Sequence, residues 1–490
     1  MEAVLQAGLW DRLLRLPTSF FRQFTTGDLA NRAMSITTIR TLLTSTVNSA
    51  IMDGPFSIIS FALLFYYSWR LALVAAGLAA VAIITSVGLS VWQIPHQRAA
   101  MRGMGEIGGM TFQMLMAVGK LRVAGAEARA FGRWATALAE QNGHFFRARR
   151  IAVLQQVVAQ SFPPLAALVI YAAVMKLGPA QANGAAALPL LTLGAFMAFN
   201  TAFGQFLAAL MAVVSALMTT AVMIVPLYER ISPILGAVPE AHENAAPPGE
   251  LTGDIEFRHV TFRYLEGAPP ILDDVSWQIA PGGYIAFVGR SGSGKSTLIR
   301  LLLGFEQPES GGIFFDRKDL SSLDLGELRR QIGVVMQGAA LISGNIYDNI
   351  VGSLPASMED AWEASRMAGL ADDIRAMPMG MHTVLSEAAS TLSGGQRQRL
   401  IIARALVRRP RILIFDEATS ALDNRTQAIV NESIDQLNMT RIVVAHRLST
   451  IRHVDRVYVL SNGRIVESGP PDKLIDADGL FSQMARRQSA

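Results

Sequence analysis

Four stretches of this chain are apolar for long enough to cross a lipid bilayer as helices, and no other feature limits its fold as strongly. They run from about Thr46 to Tyr67, Leu71 to Trp92, Ile151 to Met175 and Leu188 to Tyr228. About 20 helical residues cross the hydrocarbon core, so each stretch predicts one span. The fourth is longer than a crossing needs and is expected to continue as helix beyond the membrane. Pro163 and Pro164 fall inside the third and predict a kink there. Across the 490 residues 51% are hydrophobic and the mean hydropathy is +0.32. The excess lies before about residue 235; charged residues are frequent only after it.

The arginines orient the spans. Arg12, Arg15, Arg22, Arg32 and Arg40 precede the first, and nine Lys or Arg residues between Arg98 and Arg150 lie between the second and third. The two remaining connections offer only Arg70 and Lys176. Basic loops stay on the cytoplasmic side, so the N-terminus, the long middle loop and everything after the fourth span are expected in the cytoplasm. A formal net charge of +4 without a continuous basic block argues against a nucleic-acid partner. Cysteine is absent, which excludes disulfides, thiolate catalysis and Cys-ligated zinc from this chain. The first residues read as an amphipathic helix and not as a cleavable signal peptide.

Residues 236–253, GAVPEAHENAAPPGELTG, have the Pro, Gly and Ala content of a linker. Beyond it, short β-branched runs alternate with helical patterns, at Ile255–Phe262, Tyr284–Val288, Ile332–Val335, Ile412–Phe415, Arg441–Val444 and Arg456–Leu460. That alternation predicts an α/β domain with a mainly parallel central sheet. The expected organisation is a membrane domain over 1–235, a linker over 236–253 and a catalytic domain over 254–490.

Two motifs carry the chemistry. Gly289-Arg-Ser291-Gly292-Ser293-Gly294-Lys295-Ser296 is a complete G-x-x-x-x-G-K-S between the strand YIAFV and a helical run that opens with Thr297. Its glycines let successive N–H groups converge on phosphate oxygens at a helix N-terminus. Lys295 is expected to reach the β- and γ-phosphates of ATP, and Ser296 to ligate Mg2+. The strand ILIF then ends in Asp416-Glu417. Asp416 there suits Mg2+ held through water, and Glu417 suits a general base for the attacking water. A strand ending in two acids is common alone; beside a phosphate loop it becomes informative.

Leu392-Ser393-Gly394-Gly395-Gln396, about twenty residues before Asp416, resembles the ABC signature. In ABC proteins that segment faces the γ-phosphate of nucleotide bound to the opposite ATPase domain, and a Ser hydroxyl with Gly amides at a helix start is a sound anion site. The resemblance extends position by position. Tyr264 is similar to the aromatic that stacks on adenine, and Gln337 to the Q-loop residue that contacts Mg2+ and the membrane domain. Ser420-Ala-Leu-Asp423 resembles the D-loop, and His446 the switch histidine at the γ-phosphate. The set is complete, which implies two competent sites per homodimer. One departure precedes the signature: exporters often have Glu-Arg-Gly where this chain has Glu387-Ala388-Ala389, which bears on coupling and not on the ATP chemistry.

The membrane half resembles ABC exporters as well. Leu16-Pro-Thr-Ser-Phe-Phe21 with Gly27-Asp28-Leu29 is similar to their first intracellular coupling loop, and residues 112–135 to their second. This implies a type I exporter fold in which the four spans are helices three to six of the usual six, with the first two absent. Closer phrases (LWDRLLRLPTSFF, MPMGMHTV and IIARALVRRPRILIFDEATSALDNRTQ) resemble the NHLP-type bacteriocin, or natural-product peptide, export permease/ATPase subunits. The implied partners are membrane lipid, an exported peptide and a second half-transporter, identical or not. Some relatives remove the leader of their cargo with a cysteine peptidase, a step unavailable to a chain without cysteine. The alternatives are a lipid or drug exporter, or a truncated or partner half that hydrolyses ATP without transporting alone. Asp53, Gln155, Gln156, Gln160, Asn200 and Gln205 interrupt the apolar stretches. Polar groups there line a pathway or bond helix to helix; the sequence favours the second and nominates none for substrate.

Overall fold

The computed structural model describes residues 2–177, 193–240, 245–336, 339–385, 392–416, 424–435, 437, 439–445, 451, 453–477 and 479–489. The chain divides into two compact units, Met1–Pro239 and Glu240–Ala490.

Every regular element among the described residues of the first unit is a helix: α1 (Glu2–Leu14), α2 (Thr18–Phe21), α3 (Thr26–Tyr67), α4 (Trp69–Met116), α5 (Val118–Val123), α6 (Glu127–Leu177) and α7 (Leu193–Gly236). Helices α3, α4, α6 and α7 each contain a window apolar enough to cross a membrane. Helices α3, α4 and α6 run well past the spans expected from hydropathy, and α7 continues past Tyr228 to Gly236 as expected. Their extensions carry Arg, Glu and Gln, which lower the hydropathy without lowering helix propensity. The start of the expected fourth span, at Leu188, falls outside the described residues. Helix α6 continues through Pro163 and Pro164, and α4 through Pro95.

Helix α3 packs along α7, and α4 along α6 and α7. Leu64, Leu71, Ala72, Ile170, Phe199 and Phe203 are buried together among them, while Phe56, Ile58, Ile84 and Leu168 point outward, as lipid-facing residues do. Thr46 and Thr220 join their hydroxyls across α3 and α7. Away from the spans, Leu9, Leu13, Leu16 and Phe20 close over Ile231 and Ile234 at the end of α7. Arg12 donates to the carbonyls of Ile234, Leu235 and Ala237 at 3.2, 2.6 and 3.0 Å. A cation at a helix C-terminus satisfies orphan carbonyls and meets the negative end of the helix dipole.

A second polar junction ties three helices. Asp28 on α3 accepts from Arg32 at 2.7 Å and from Arg230 on α7 at 2.6 Å. Arg230 also donates to Met101 O of α4 at 3.0 Å, and Arg32 to Arg230 O at 2.6 Å. Gly105 on α4 leaves the room for this pair: a Cβ there would lie 2.5 Å from Asp28 Oδ1 and 2.7 Å from Arg230 Nη2.

The second unit is α/β. Its larger sheet has the order β12 (Arg464–Gly469), β11 (Arg456–Ser461), β3 (Tyr284–Gly289), β10 (Thr440–Val444), β9 (Ile412–Asp416), β6 (Ile332–Val335). All neighbours are parallel except β12. Strands buried on both faces read as continuous apolar runs, which is why YIAFV and ILIF stood out in the sequence. Their residues alternate between two cores: Ala286, Val288, Leu413 and Phe415 enter one, and Ile285, Phe287, Ile412 and Ile414 the other. The smaller sheet is antiparallel, in the order β2 (Leu272–Ile279), β1 (Ile255–Phe262), β4 (Ser310–Phe315), β5 (Lys318–Asp319). It covers the second core through Phe257, Trp277 and Phe315.

Within the segment expected to be a linker, residues from Ala246 onward lie against the second unit. Leu251 N–H donates to Gln331 Oε1 at 2.9 Å, Thr252 N–H to Asp316 at 2.7 Å, and Lys318 Nζ to Pro248 O at 2.8 Å.

Candidate nucleotide site

The phosphate loop sits where the sheet delivers it. Strand β3 ends at Gly289, and helix α8 (Lys295–Leu302) begins six residues later. In open α/β sheets ligands bind outside the carboxyl ends of the strands. Here the register fixes which ends share that edge. Phe287 pairs with Val444, and Val444 with Asp416. The chain therefore leaves β3, β10 and β9 on one side, with Asp416 two strands, or ~10 Å, from the loop.

Two glycines of the loop cannot be replaced without strain. At Gly294, φ is +107° and a Cβ would stand 2.7 Å from Leu272 Cδ2; at Gly289 a Cβ would meet Leu460 O at 2.3 Å. The loop is pressed between α8 and two strands, and only a bare backbone fits. Lys295 is 5% exposed and its Nζ donates to Gly289 O at 2.9 Å and Arg290 O at 3.0 Å. It closes the ring of the loop from within. The Ser293 hydroxyl is buried without a hydrogen-bond partner among the described residues. An orphaned buried hydroxyl costs about 1–3 kcal/mol, and a phosphate oxygen in the loop would satisfy it.

Thr297 and Tyr264 extend the site. The Tyr264 hydroxyl lies 3.2 Å from Thr297 Oγ1, and its ring is 39% exposed. The ring stands beside the first turn of α8. Phe262 supports the ring edge-on at 4.9 Å. Among the described residues no group of three or more His, Asp or Glu side chains converges on a metal position. The donors near the loop, Ser296 and Asp416, suit a hard divalent cation that shares its ligands with phosphates and water, as Mg2+ does.

The signature segment is organised by a different helix. Ser393 caps α13 (Gly394–Leu406): its hydroxyl accepts from Gln396 N–H at 3.2 Å, and Gln396 Oε1 accepts from Ser393 N–H at 3.0 Å. This reciprocal capping box fixes the helix start and aims its N–H groups outward. Gln396 Nε2 in turn donates to Asp373 at 2.8 Å, as does Arg399. Sequence reasoning missed Asp373, which sits on α12 (Ala371–Ala376) and has no motif of its own; only packing reveals it. Gln337, Glu417, Asp423 and His446 lie outside the described residues, as do Glu387, Ala388 and Ala389.

Two family models match the chain: the ABC transporter transmembrane region over residues 1–210 and the ABC transporter over residues 272–420. The toxin RTX-I translocation ATP-binding protein of Actinobacillus pleuropneumoniae is 34% identical over 498 residues, covering all of this chain and 68% of that protein. The chain belongs to the ABC exporters in which transmembrane and ATPase domains are fused. As an ABC exporter it is similar also to the alpha-hemolysin translocation ATP-binding protein HlyB of Escherichia coli O157:H7, at 35% identity over all of this chain and 69% of that one. A solved bacterial Atm1-family ABC exporter with ATP bound shares its fold, with a TM-score of 0.84 and 29% identity, over 99% of this chain and 84% of that one. The exporter is a membrane ATPase: its α/β unit binds and hydrolyses ATP in the cytoplasm, and its helical unit spans the bacterial inner membrane. The relatives' names speak of toxin translocation and not of bacteriocins, so the narrower resemblance to natural-product peptide exporters is carried by its sequence phrases alone.

Proposed function

We propose that this exporter uses ATP to move a polypeptide out of the cytoplasm, as a dimer with two nucleotides held between its ATPase domains. The observation that carries the polypeptide reading is the likeness, along the full chain, to proteins named for the translocation of protein toxins. The natural-product peptide phrases point the same way and leave the length of the cargo open. The domain division proposed from the sequence, 1–235, 236–253 and 254–490, assigns transport to the first part and hydrolysis to the last.

The roles are as follows. Gly289, Ser291, Gly292, Ser293, Gly294 and Lys295 hold the phosphates, Thr297 supports the loop, and the Tyr264 ring stacks on adenine. Ser296 and Asp416, with Gln337, hold Mg2+, which when bound neutralises charge between the β- and γ-phosphates. Ser393, Gly394, Gly395 and Gln396 of one chain complete the site of the other, and Asp423 is assigned to nucleotide binding with them. Glu417 orients water for attack on the γ-phosphorus, and His446 holds the γ-phosphate in line. Two-state closure of the dimer on ATP, and its release after hydrolysis, biases the spans between inward and outward access. The capping box at Ser393 and the orphaned Ser293 hydroxyl support the two halves of this composite site.

Replacing Glu417 by Gln tests the catalytic assignment. The variant is expected to bind ATP like wild type in a filter-binding assay and to lose turnover by at least a hundredfold. Undiminished turnover would sink the role given to Glu417. The lipid or drug alternative makes the same prediction for Glu417 and differs only in what stimulates the enzyme.

A further inference from the structure

Five glutamines line one cavity of the helical unit. It has a volume of about 640 Å3 and is walled by α4, α6 and α7. Gln93 and Gln97 stand one turn apart on α4, and Gln156 and Gln160 one turn apart on α6, with Gln155 beside them. Polar side chains in spanning helices usually serve as bonds to the next helix, but the contacts here are poor. Gln97 Nε2 reaches only the thioether of Met223, at 3.2 Å, and Gln155 Nε2 lies 3.4 Å from Ser90 Oγ. Gln93, Gln156 and Gln160 hydrogen-bond to no other described residue. Unpaired amides among packed helices are costly unless they face water or a polar ligand. A thioether is a weak acceptor, so even Gln97 has donor capacity to spare.

We propose that this cavity binds an extended stretch of the exported polypeptide through its backbone, with the glutamine amides as the recognising groups. The inference rests on the polypeptide-export reading above and deepens it. A glutamine offers a carbonyl acceptor and an N–H donor, the same two groups that every peptide unit of the cargo must satisfy. Residues four apart on a helix are separated by about 6 Å along its axis. Two residues of extended chain advance about 6.6 Å. Each glutamine pair can therefore meet alternate peptide groups of a strand laid between α4 and α6. Recognition of backbone is indifferent to side-chain sequence, which suits a carrier that must pass a whole chain. Met211 and Met223 add adaptable apolar wall for whatever side chains pass. Among the described residues lining the cavity Arg149 alone is charged, so a cationic cargo is disfavoured. Its size is that of a drug-like ligand site, so a few residues occupy it at a time.

The test uses the full chain in phospholipid nanodiscs and a fluorescein-labelled, unstructured 20-residue Gly/Ser/Ala peptide, read by fluorescence anisotropy. A second probe carries the same side chains with every other backbone nitrogen methylated. Wild type is expected to bind the first probe and to bind the methylated one at least tenfold more weakly. The double substitution Gln156→Met with Gln160→Met is expected to weaken the first probe at least tenfold while basal ATPase stays unchanged. The pair Gln93→Met with Gln97→Met is expected to do the same, so that a local defect in α6 does not decide the result. If wild type binds the peptide and both double variants bind it equally well, the inference is overturned and polypeptide export stands. If wild type binds neither peptide, the export reading falls and takes the inference with it. Binding of a fluorescent phospholipid in place of peptide, lost in the same variants, overturns both in favour of a lipid cargo.

Discussion

Burial pushes the Tyr284 phenol up to about 12, partly opposed by the nearby Arg441, whose guanidinium lies 4.3 Å over the ring. A group whose folded pKa is raised holds its proton longer in the folded state. Its contribution to stability is intact below the unfolded value, about 10, and is lost as pH rises from there toward 12. The thermal midpoint of the α/β unit should therefore fall across that window, and Tyr284→Phe should make the fall shallower. An equal slope in both proteins would contradict the assignment. The same scale shows what a sequence can reveal. Gly289 to Ser296 were legible because the phosphate loop is contiguous and its chemistry needs no distant partner. Asp373 was not, because its role exists only through Gln396 and Arg399 on another helix. Gln155, Gln156 and Gln160 were visible as polar interruptions, but only the packing of α4 against α6 shows that they share a cavity with Gln93 and Gln97.

Among elements, the buried parallel strands were legible, as was β1 of the antiparallel sheet, while β2 and β4 were not. Strand β3 is apolar along its length and β9 up to its closing Asp416, whereas β2 reads LDDVSWQI and β4 opens with Ser-Gly-Gly. In both, half the residues face out or the backbone needs glycine, so hydropathy gives little signal. At Gly311 a Cβ would lie 2.2 Å from His259 O, a constraint that comes from the neighbouring strand and not from local sequence. The spans were found, but the full lengths of α3, α4 and α6 were not, because their charged extensions look like loops to a hydropathy scale. The junction of α3, α4 and α7 around Asp28 lies in such an extension. Gly105→Ala should push Asp28 and Arg230 apart and leave charges without their partners. Hydrogen bonds between charged groups are worth about 1.5–3 kcal/mol, so a lower thermal midpoint of the helical unit is expected, with Asp28→Asn destabilising it by a similar amount. An unchanged midpoint in both variants would remove the junction from the forces that hold these helices together.

At the scale of the whole molecule, one chain carries a phosphate site and four membrane spans, and its family membership turns that pairing into an exporter. The chain spans 68% of the length of the RTX-I relative. The family was readable from the motifs alone; the nature of the cargo was not, because the proposed cargo cavity is lined by side chains from three helices with no contiguous signature. The central claim is that hydrolysis drives a polypeptide across the membrane. The most direct measurement is accumulation of a radiolabelled unstructured peptide inside inverted membrane vesicles carrying the chain. The account predicts accumulation that requires ATP and Mg2+ and vanishes in the Glu417→Gln variant. Vesicles that hydrolyse ATP in a Glu417-dependent way, yet take up no polypeptide while accumulating a lipid or drug probe, would contradict it.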